Sequence, residues 1–225
     1  GENWHYYALD GEGKTLWKFN VPHSPVEGAL GDVNGDGKLE IVATDEYYSG
    51  RVLGSDGKLL YNVAITQPYM TAALAADLNG DGKAEAVIGG EDMQAHVCDG
   101  AGKVVFTANV GSIVTDLQAL PATGGSRLLV ASDGLSQNLS CYGATGEPLW
   151  RLDLPGSPRQ LAVCGDSVAA ACDDGVLRLV GPTGKLLGLA RFADPVEVAI
   201  PATTPTGKKM AVCASGALLT AVPAP

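Results

Sequence analysis

The chain has 225 residues, 46% hydrophobic and 18% charged, enough for one large domain or two small ones with a sizeable core. Its 25 acids against 15 bases leave a formal net charge of −10, which argues against a nucleic-acid partner and against electrostatic docking to anionic lipid. No apolar run approaches the roughly 18 residues needed to cross a bilayer, and 30 glycines and 13 prolines without a three-residue period point to many turns between short strands rather than to a helical bundle or collagen.

The first 20 residues are polar and aromatic and do not read as a signal peptide, so the expectation is a cytoplasmic protein or a mature or excised piece. A turn followed by Gly-Lys, apolar residues and often an aromatic then recurs along the chain. The copies are Gly13-Lys14-Thr15-Leu16-Trp17, Gly57-Lys58-Leu59-Leu60-Tyr61, Gly102-Lys103-Val104-Val105-Phe106, Gly146-Glu147-Pro148-Leu149-Trp150 and Gly184-Lys185-Leu186-Leu187-Gly188, with glycine spacings of 44, 45, 44 and 38. Each period holds four short strand-like runs, A to D; in the second unit these are 27–32, 39–44, 51–55 and 58–65. Four strands per roughly 44 residues is the sequence sign of a β-propeller blade. The predicted fold is an all-β propeller of four-stranded antiparallel blades, five in number. Four blades cover 24–65, 69–110, 112–154 and 158–192. The fifth combines 195–213 with 1–21, because residues 1–17 align without a gap on 90–106 and so supply only strands C and D. Strand exchange between the termini would then close the ring and remove exposed sheet edges. Residues 217–222 also read as a strand C and compete with 4–9 for that place, as an added outer strand or as a sign of a longer array. The five cysteines, Cys98, Cys141, Cys164, Cys172 and Cys213, form no CxxC pair and read as small core residues.

The strongest chemical signal lies in two A–B loops one period apart: Asp32-Val33-Asn34-Gly35-Asp36-Gly37-Lys38-Leu39-Glu40 and Asp77-Leu78-Asn79-Gly80-Asp81-Gly82-Lys83-Ala84-Glu85. A hard cation such as Ca²⁺ takes six to eight oxygens. Positions 1, 3 and 5 place three side-chain oxygens around one point: Asp32, Asn34 and Asp36, or Asp77, Asn79 and Asp81. Glycine at position 6 permits the turn, the carbonyl of Lys38 or Lys83 adds an oxygen, and Glu40 or Glu85 closes the cage. An EF-hand is excluded, since its twelfth position is acidic and this chain has Ala43 and Ile88 there. The competing explanation is an Asp/Asn/Gly hairpin without metal; two copies in register weigh against it.

These loops resemble the calcium loops of FG-GAP or VCBS-type propeller repeats, over about 26–106. The resemblance implies a propeller with about two bound Ca²⁺, since the equivalent loops at 120–127, 165–167 and 203–209 lack a full set of acids. Two such ions would take the formal charge from −10 to −6. The C–D segments resemble the repeats of quinoprotein (PQQ-like) propellers: Ala144-Thr145-Gly146-Glu147-Pro148-Leu149-Trp150 matches the second half of their pattern, with Tyr142 where the aspartate belongs. That resemblance implies blade packing rather than a cofactor, and Trp17, Tyr61, Phe106 and Trp150 read as interblade contacts.

In a propeller the A–B and C–D loops share one face, and the B–C and D–A loops share the other. The second face collects Glu2, Asn3, Trp4, His5, Asp45, Glu46, Tyr47, Tyr48, Glu91, Asp92, Met93, Gln94, Asp133, Asp173 and Asp174 from B–C loops. The D–A loops add His23, Gln67, Tyr69, Arg159 and Asp194. Carboxylates with aromatics suit a sugar ring or a basic peptide, although such residues also simply form turns. No Ser/His/Asp arrangement, phosphate loop or histidine metal motif appears. The expected function is a non-catalytic, calcium-binding module for a glycan or protein ligand, monomeric or part of a larger chain, in an extracellular, cell-surface or periplasmic setting. Ligand contacts are expected at Trp4, His5, Asp45, Glu46, Tyr47, Tyr48, Glu91, Asp92, Asp133 and Asp173. The alternatives are a glycoside hydrolase or polysaccharide lyase propeller, using carboxylates such as Asp45, Glu91 or Asp133, and a purely architectural scaffold domain of a larger secreted protein.

Overall fold

The computed structural model describes residues 4–47, 49–64, 69–134 and 136–224. Every regular element among them is a strand. β1 (His5–Leu9) and β2 (Thr15–Asn20) pair as a two-stranded sheet. Four meanders of four strands follow: β3 (Pro25–Gly31), β4 (Glu40–Asp45), β5 (Ser49–Leu53) and β6 (Leu59–Ala64); β7 (Met70–Ala76), β8 (Glu85–Gly90), β9 (Gln94–Cys98) and β10 (Val104–Asn109); β11 (Ile113–Ala122), β12 (Gly125–Asp133), β13 (Asn138–Tyr142) and β14 (Pro148–Asp153); β15 (Pro158–Cys164), β16 (Ser167–Cys172), β17 (Val176–Val180) and β18 (Leu186–Arg191). A three-stranded sheet, β19 (Val196–Thr203), β20 (Lys209–Ser215) and β21 (Leu218–Pro223), ends the series. All pairings are antiparallel, and the first strands of consecutive sheets, β3, β7, β11, β15 and β19, pack side by side around a common centre.

Burial follows position in the sheet. The second strands β8 and β16 are buried throughout, and apart from Glu85 their residues are small or β-branched (Ala-Val-Ile-Gly-Gly, Ser-Val-Ala-Ala-Ala-Cys) and sandwiched on both faces. The outer strands β14 and β18 alternate between exposed and half-buried. The core lies between sheets. One cluster joins Ala72, Val87 and Val97 of one sheet to Val114, Leu117 and Leu128 of the next, and three more fill equivalent seams. All five cysteines are buried in these seams without a bridge.

The Gly-Lys-apolar-aromatic repeat has a physical basis. Gly57, Gly102, Gly146 and Gly184 all take the left-handed backbone (φ +79° to +86°) at the tip of a C–D turn. Against each lies the aromatic ring of the preceding sheet's outer strand: Trp17, Tyr61, Phe106 and Trp150 respectively. A methyl added to any of these glycines would come within 2.6–2.7 Å of that ring, so only glycine admits both the turn and the contact. Three of the rings also donate a hydrogen bond to the same turn: Trp17 to the Ser55 carbonyl (2.9 Å), Tyr61 to Asp99 (3.0 Å) and Trp150 to Pro182 (3.0 Å). The staple runs from the first sheet to the fifth. Gly188 stands where the next ring would be.

The terminal sheets differ from the expected strand exchange. Six sheets are present among the described residues, and the ends of the chain do not share one. β20 is paired along its length by β21, from Met210↔Pro223 to Ser215↔Leu218, which fills the place expected for β1. β1 pairs only with β2. The competition between 4–9 and 217–222 is settled by chain proximity: a hairpin through Gly216, left-handed at φ +55°, makes β21 the local partner.

Candidate metal loops and ligand face

Both acidic loops connect a first strand to a second, β3 to β4 and β7 to β8. In the first, Asp32 accepts from the N–H groups of Gly35 (2.7 Å), Asp36 (3.1 Å) and Gly37 (2.9 Å), and Asn34 Oδ1 accepts from Asp36 (2.8 Å). Asp36 accepts from Lys38 (2.9 Å). Glu40, only 1% exposed, accepts from Val33 (3.0 Å) and Asn34 (3.3 Å). One oxygen from each of Asp32, Asp36 and Glu40 lies within 4.8 Å of the others. Among the described residues no lysine, arginine or histidine pairs with any of the three. Three converging carboxylates without a counter-charge, one of them buried, fit a hard divalent cation by donor chemistry. Asp32, Asn34, Asp36, Glu40 and the Lys38 carbonyl are the groups that would hold it.

The second loop repeats this wiring with one difference. Asp77 accepts from Gly80 (2.6 Å) and Gly82 (2.9 Å), Asn79 from Asp81 (2.9 Å), and Asp81 from Lys83 (2.8 Å). Glu85 accepts from Leu78 N–H (2.8 Å), but its other oxygen accepts from the Asn79 side-chain amide (2.7 Å). That hydrogen bond engages the second Glu85 oxygen, and Asp77, Asp81 and Glu85 do not converge as the first trio does. Burial, then the charges of Asp81 and Asp77, push the Glu85 carboxyl above its ordinary value. The two loops also touch. Ala84 N–H donates to the Asp32 carbonyl (2.8 Å), and the Lys83 stem lies over Gly35. Ordering one loop therefore bears on the seam between sheets.

On the opposite face most strand-B carboxylates have partners inside the fold. Asp45, fully buried, pairs with Arg51 of β5. Asp92 is hydrogen-bonded to His96 of β9, and Asp174 pairs with Arg178 of β17, whose hydrogen bond, and then its charge, hold it below the ordinary carboxylate range. Arg159 spans two sheets, donating to Asp133 (2.6 Å) and Asp173 (2.9 Å), while Ser157 also binds both. His5 is hydrogen-bonded to Asn20 (3.3 Å) and packs beside Tyr7. Glu2, Asn3, Tyr48 and Gln67 lie outside the described residues.

The aromatics do gather. Trp4, His23, Tyr47 and Tyr69 form a continuous run with ring-centre separations of 6.3, 4.5 and 5.0 Å, and the Tyr47 and Tyr69 hydroxyls are 3.0 Å apart. Trp4, Tyr69 and Met93 hold φ of +56° to +66° and expose 38–49% of their surface. Large side chains in this backbone region are strained, and such strain concentrates at binding sites.

A further group, of which the sequence pointed only to Arg159, lies on the first strands. Each first strand carries a β-bulge near its start, after Pro25, Met70, Val114, Pro158 and Val196. The bulges turn Glu27, Thr71, Thr115, Arg159 and Glu197 into a cavity of about 270 Å³ that Asp116 and Gln160 also line. Neighbouring strands are laced there. Glu27 accepts from Ala73 N–H (3.0 Å), Asp116 from Leu161 (2.6 Å) and Gln160 from Ala199 (3.0 Å), while the Thr71 and Thr115 hydroxyls donate to Val114 and Pro158. The available signal was a lone polar residue recurring near the start of each apolar first strand.

Known proteins resemble the chain in one repeat and in its fold. Residues 32–88 match the FG-GAP-like repeat family. The FG-GAP-like segment begins at Asp32 and contains both acidic loops. A 56-residue stretch is 41% identical to protein HIR1 of Cryptococcus neoformans, covering 25% of this chain and only 6% of that protein. Among solved structures, BBS1N in complex with ARL6DN superposes with a TM-score of 0.76 at 15% identity, over 95% of this chain and 70% of that one. Saccharomyces cerevisiae Sqt1 gives 0.81 at 14%, over 97% and 66%. At such identities the likeness shows the β-propeller fold alone.

Proposed function

We propose that this β-propeller is a calcium-stapled, non-catalytic interaction module. Its ligand is a protein partner held on the face opposite the acidic loops, and its setting is one where calcium is abundant, outside the cytoplasm. The observation that carries the metal half is the convergence of Asp32, Asp36 and Glu40 without a counter-charge. The FG-GAP-like match over both loops supports it. The first loop is the tighter site, since binding at the second must break the Asn79–Glu85 hydrogen bond. The binding half rests on the exposed, strained aromatic run. BBS1N, solved with ARL6DN bound, is a propeller neighbour in a protein complex. Of the three carboxylates a glycosidase could use, Asp45 and Asp133 are committed to Arg51 and Arg159 and only Glu91 is without an ion-pair partner among the described residues, which favours binding over catalysis. Calcium titration by calorimetry tests the metal half. The expected result is two sites, with Asp36→Ala removing the tighter and Asp81→Ala the weaker. Heat unchanged by both substitutions would refute it.

A further inference from the structure

The aromatic run has a defined chemistry at its edge. Tyr69 is held between two glutamates by the backbone: its N–H donates to the Glu46 carbonyl (2.6 Å), and its own carbonyl accepts from Glu91 N–H (3.1 Å). Glu46 is fixed in turn by its N–H, which donates to Ser24 (3.1 Å). The hydrogen bond with Tyr47, followed by the charge of Tyr47, desolvation and the charges of Glu46 and Glu91, raises the Tyr69 phenol above its ordinary value. Unlike Asp45 and Asp92, neither Glu46 nor Glu91 has an ion-pair partner among the described residues. The rings tilt against each other by 43–57° and so do not form the coplanar platform on which a sugar stacks.

We propose that the wall of Trp4, His23, Tyr47 and Tyr69, flanked by Glu46 and Glu91, receives an arginine side chain from a basic segment of the protein partner. This deepens the interaction reading above and rests on it. Aromatic faces attract a guanidinium through their quadrupole. Its planar fork can engage two carboxylates while its face stacks, which a lysine ammonium cannot do. The −10 charge of the chain steers such a partner inward. The backbone ties from Ser24 through Glu91 set the wall before binding, so little ordering is needed on contact.

The test uses the whole chain with calcium held constant and saturating, at 150 mM salt to screen general attraction. The probes are acetylated, amidated tri-arginine, the matching tri-lysine, and cellohexaose as a neutral glycan. Binding is read by calorimetry for wild type, Glu46→Gln/Glu91→Gln and Tyr69→Gly, the last chosen because glycine accepts a φ of +66° without strain. Tri-arginine is expected to bind more tightly than tri-lysine and to weaken about tenfold in each variant. Unchanged melting temperatures certify the fold of the variants. Tri-arginine affinity equal in all three proteins, or no binding at all, overturns the proposal. Cellohexaose binding that Tyr69→Gly abolishes would overturn the arginine assignment while leaving the face as the binding surface. Failure of the calcium titration would strike the metal half alone.

Discussion

Asp116 offers a sharp test of how the sheets are laced together. It sits at 7% exposure on β11, accepts from Leu117 (2.7 Å) and reaches across the seam to Leu161 of β15 (2.6 Å). Burial pushes its carboxyl from the ordinary 3.8 up to about 7. The Leu161 and Leu117 N–H groups oppose the rise and the Glu27 charge adds to it. The folded state therefore prefers the neutral acid by about 4 kcal/mol. Because the folded value is the higher one, that contribution is complete below pH 3.8, declines above it and is spent once the pH has passed 7. Between pH 5 and 8 the fold should lose about 3 kcal/mol through this group. Asp116→Asn cannot ionise. It keeps one acceptor and misplaces an amide, so its absolute stability is lower in acid, and the diagnostic quantity is the slope with pH. Urea unfolding of both proteins at pH 5, 6, 7 and 8 should show the gap closing as the pH rises. Parallel profiles across that range would refute a buried, upward-shifted Asp116.

Other substitutions test other parts of the account. Gly184→Ala forces a side chain into a left-handed backbone and to 2.7 Å from the Trp150 ring, and should cost about 1–3 kcal/mol in denaturant unfolding. Trp150→Ala, which empties the same seam and leaves the Pro182 carbonyl with Arg127 as its remaining donor, should cost about 3–5 kcal/mol. Arg159→Ala should cost under about 1 kcal/mol despite its two short ion pairs, because the side chain is 46% exposed. Glu40→Ala leaves the Val33 and Asn34 N–H groups unmet and should lose about 1–3 kcal/mol even in excess chelator, in addition to abolishing the response of the first loop to calcium.

What could be read from the sequence was whatever the repeat imposes locally. The glycine at each C–D turn and the aromatic four residues on are both fixed by one contact, so they recur with the blade period. The acidic loops were legible because their ligands lie within nine consecutive residues. Pairings between distant segments were not. Asp45, Asp92 and Asp133 were visible as carboxylates ending second strands, but their partners Arg51, His96 and Arg159 depend on register and on the neighbouring sheet. The inner-strand bulges leave no mark on composition, so Glu27 and Asp116 looked like isolated polar residues in apolar runs. The terminal strands were ambiguous because 4–9 and 217–222 carry the same pattern, and the tight hairpin at Gly216 decided between them.

The central claim is that the two acidic loops hold calcium and thereby staple adjoining sheets. Its most direct test is a thermal melt of the chain in excess calcium and in excess chelator, with metal analysis of the purified protein. At free calcium a hundred times the dissociation constant, one site adds about 2.7 kcal/mol, which for a chain of this size raises the melting temperature by roughly 5–10 °C. The account predicts at least that rise, about two Ca²⁺ per chain, and a smaller rise after Asp36→Ala than after Asp81→Ala. Identical melts in calcium and chelator, with no metal retained, would contradict it and reduce both loops to hydrogen-bonded hairpins.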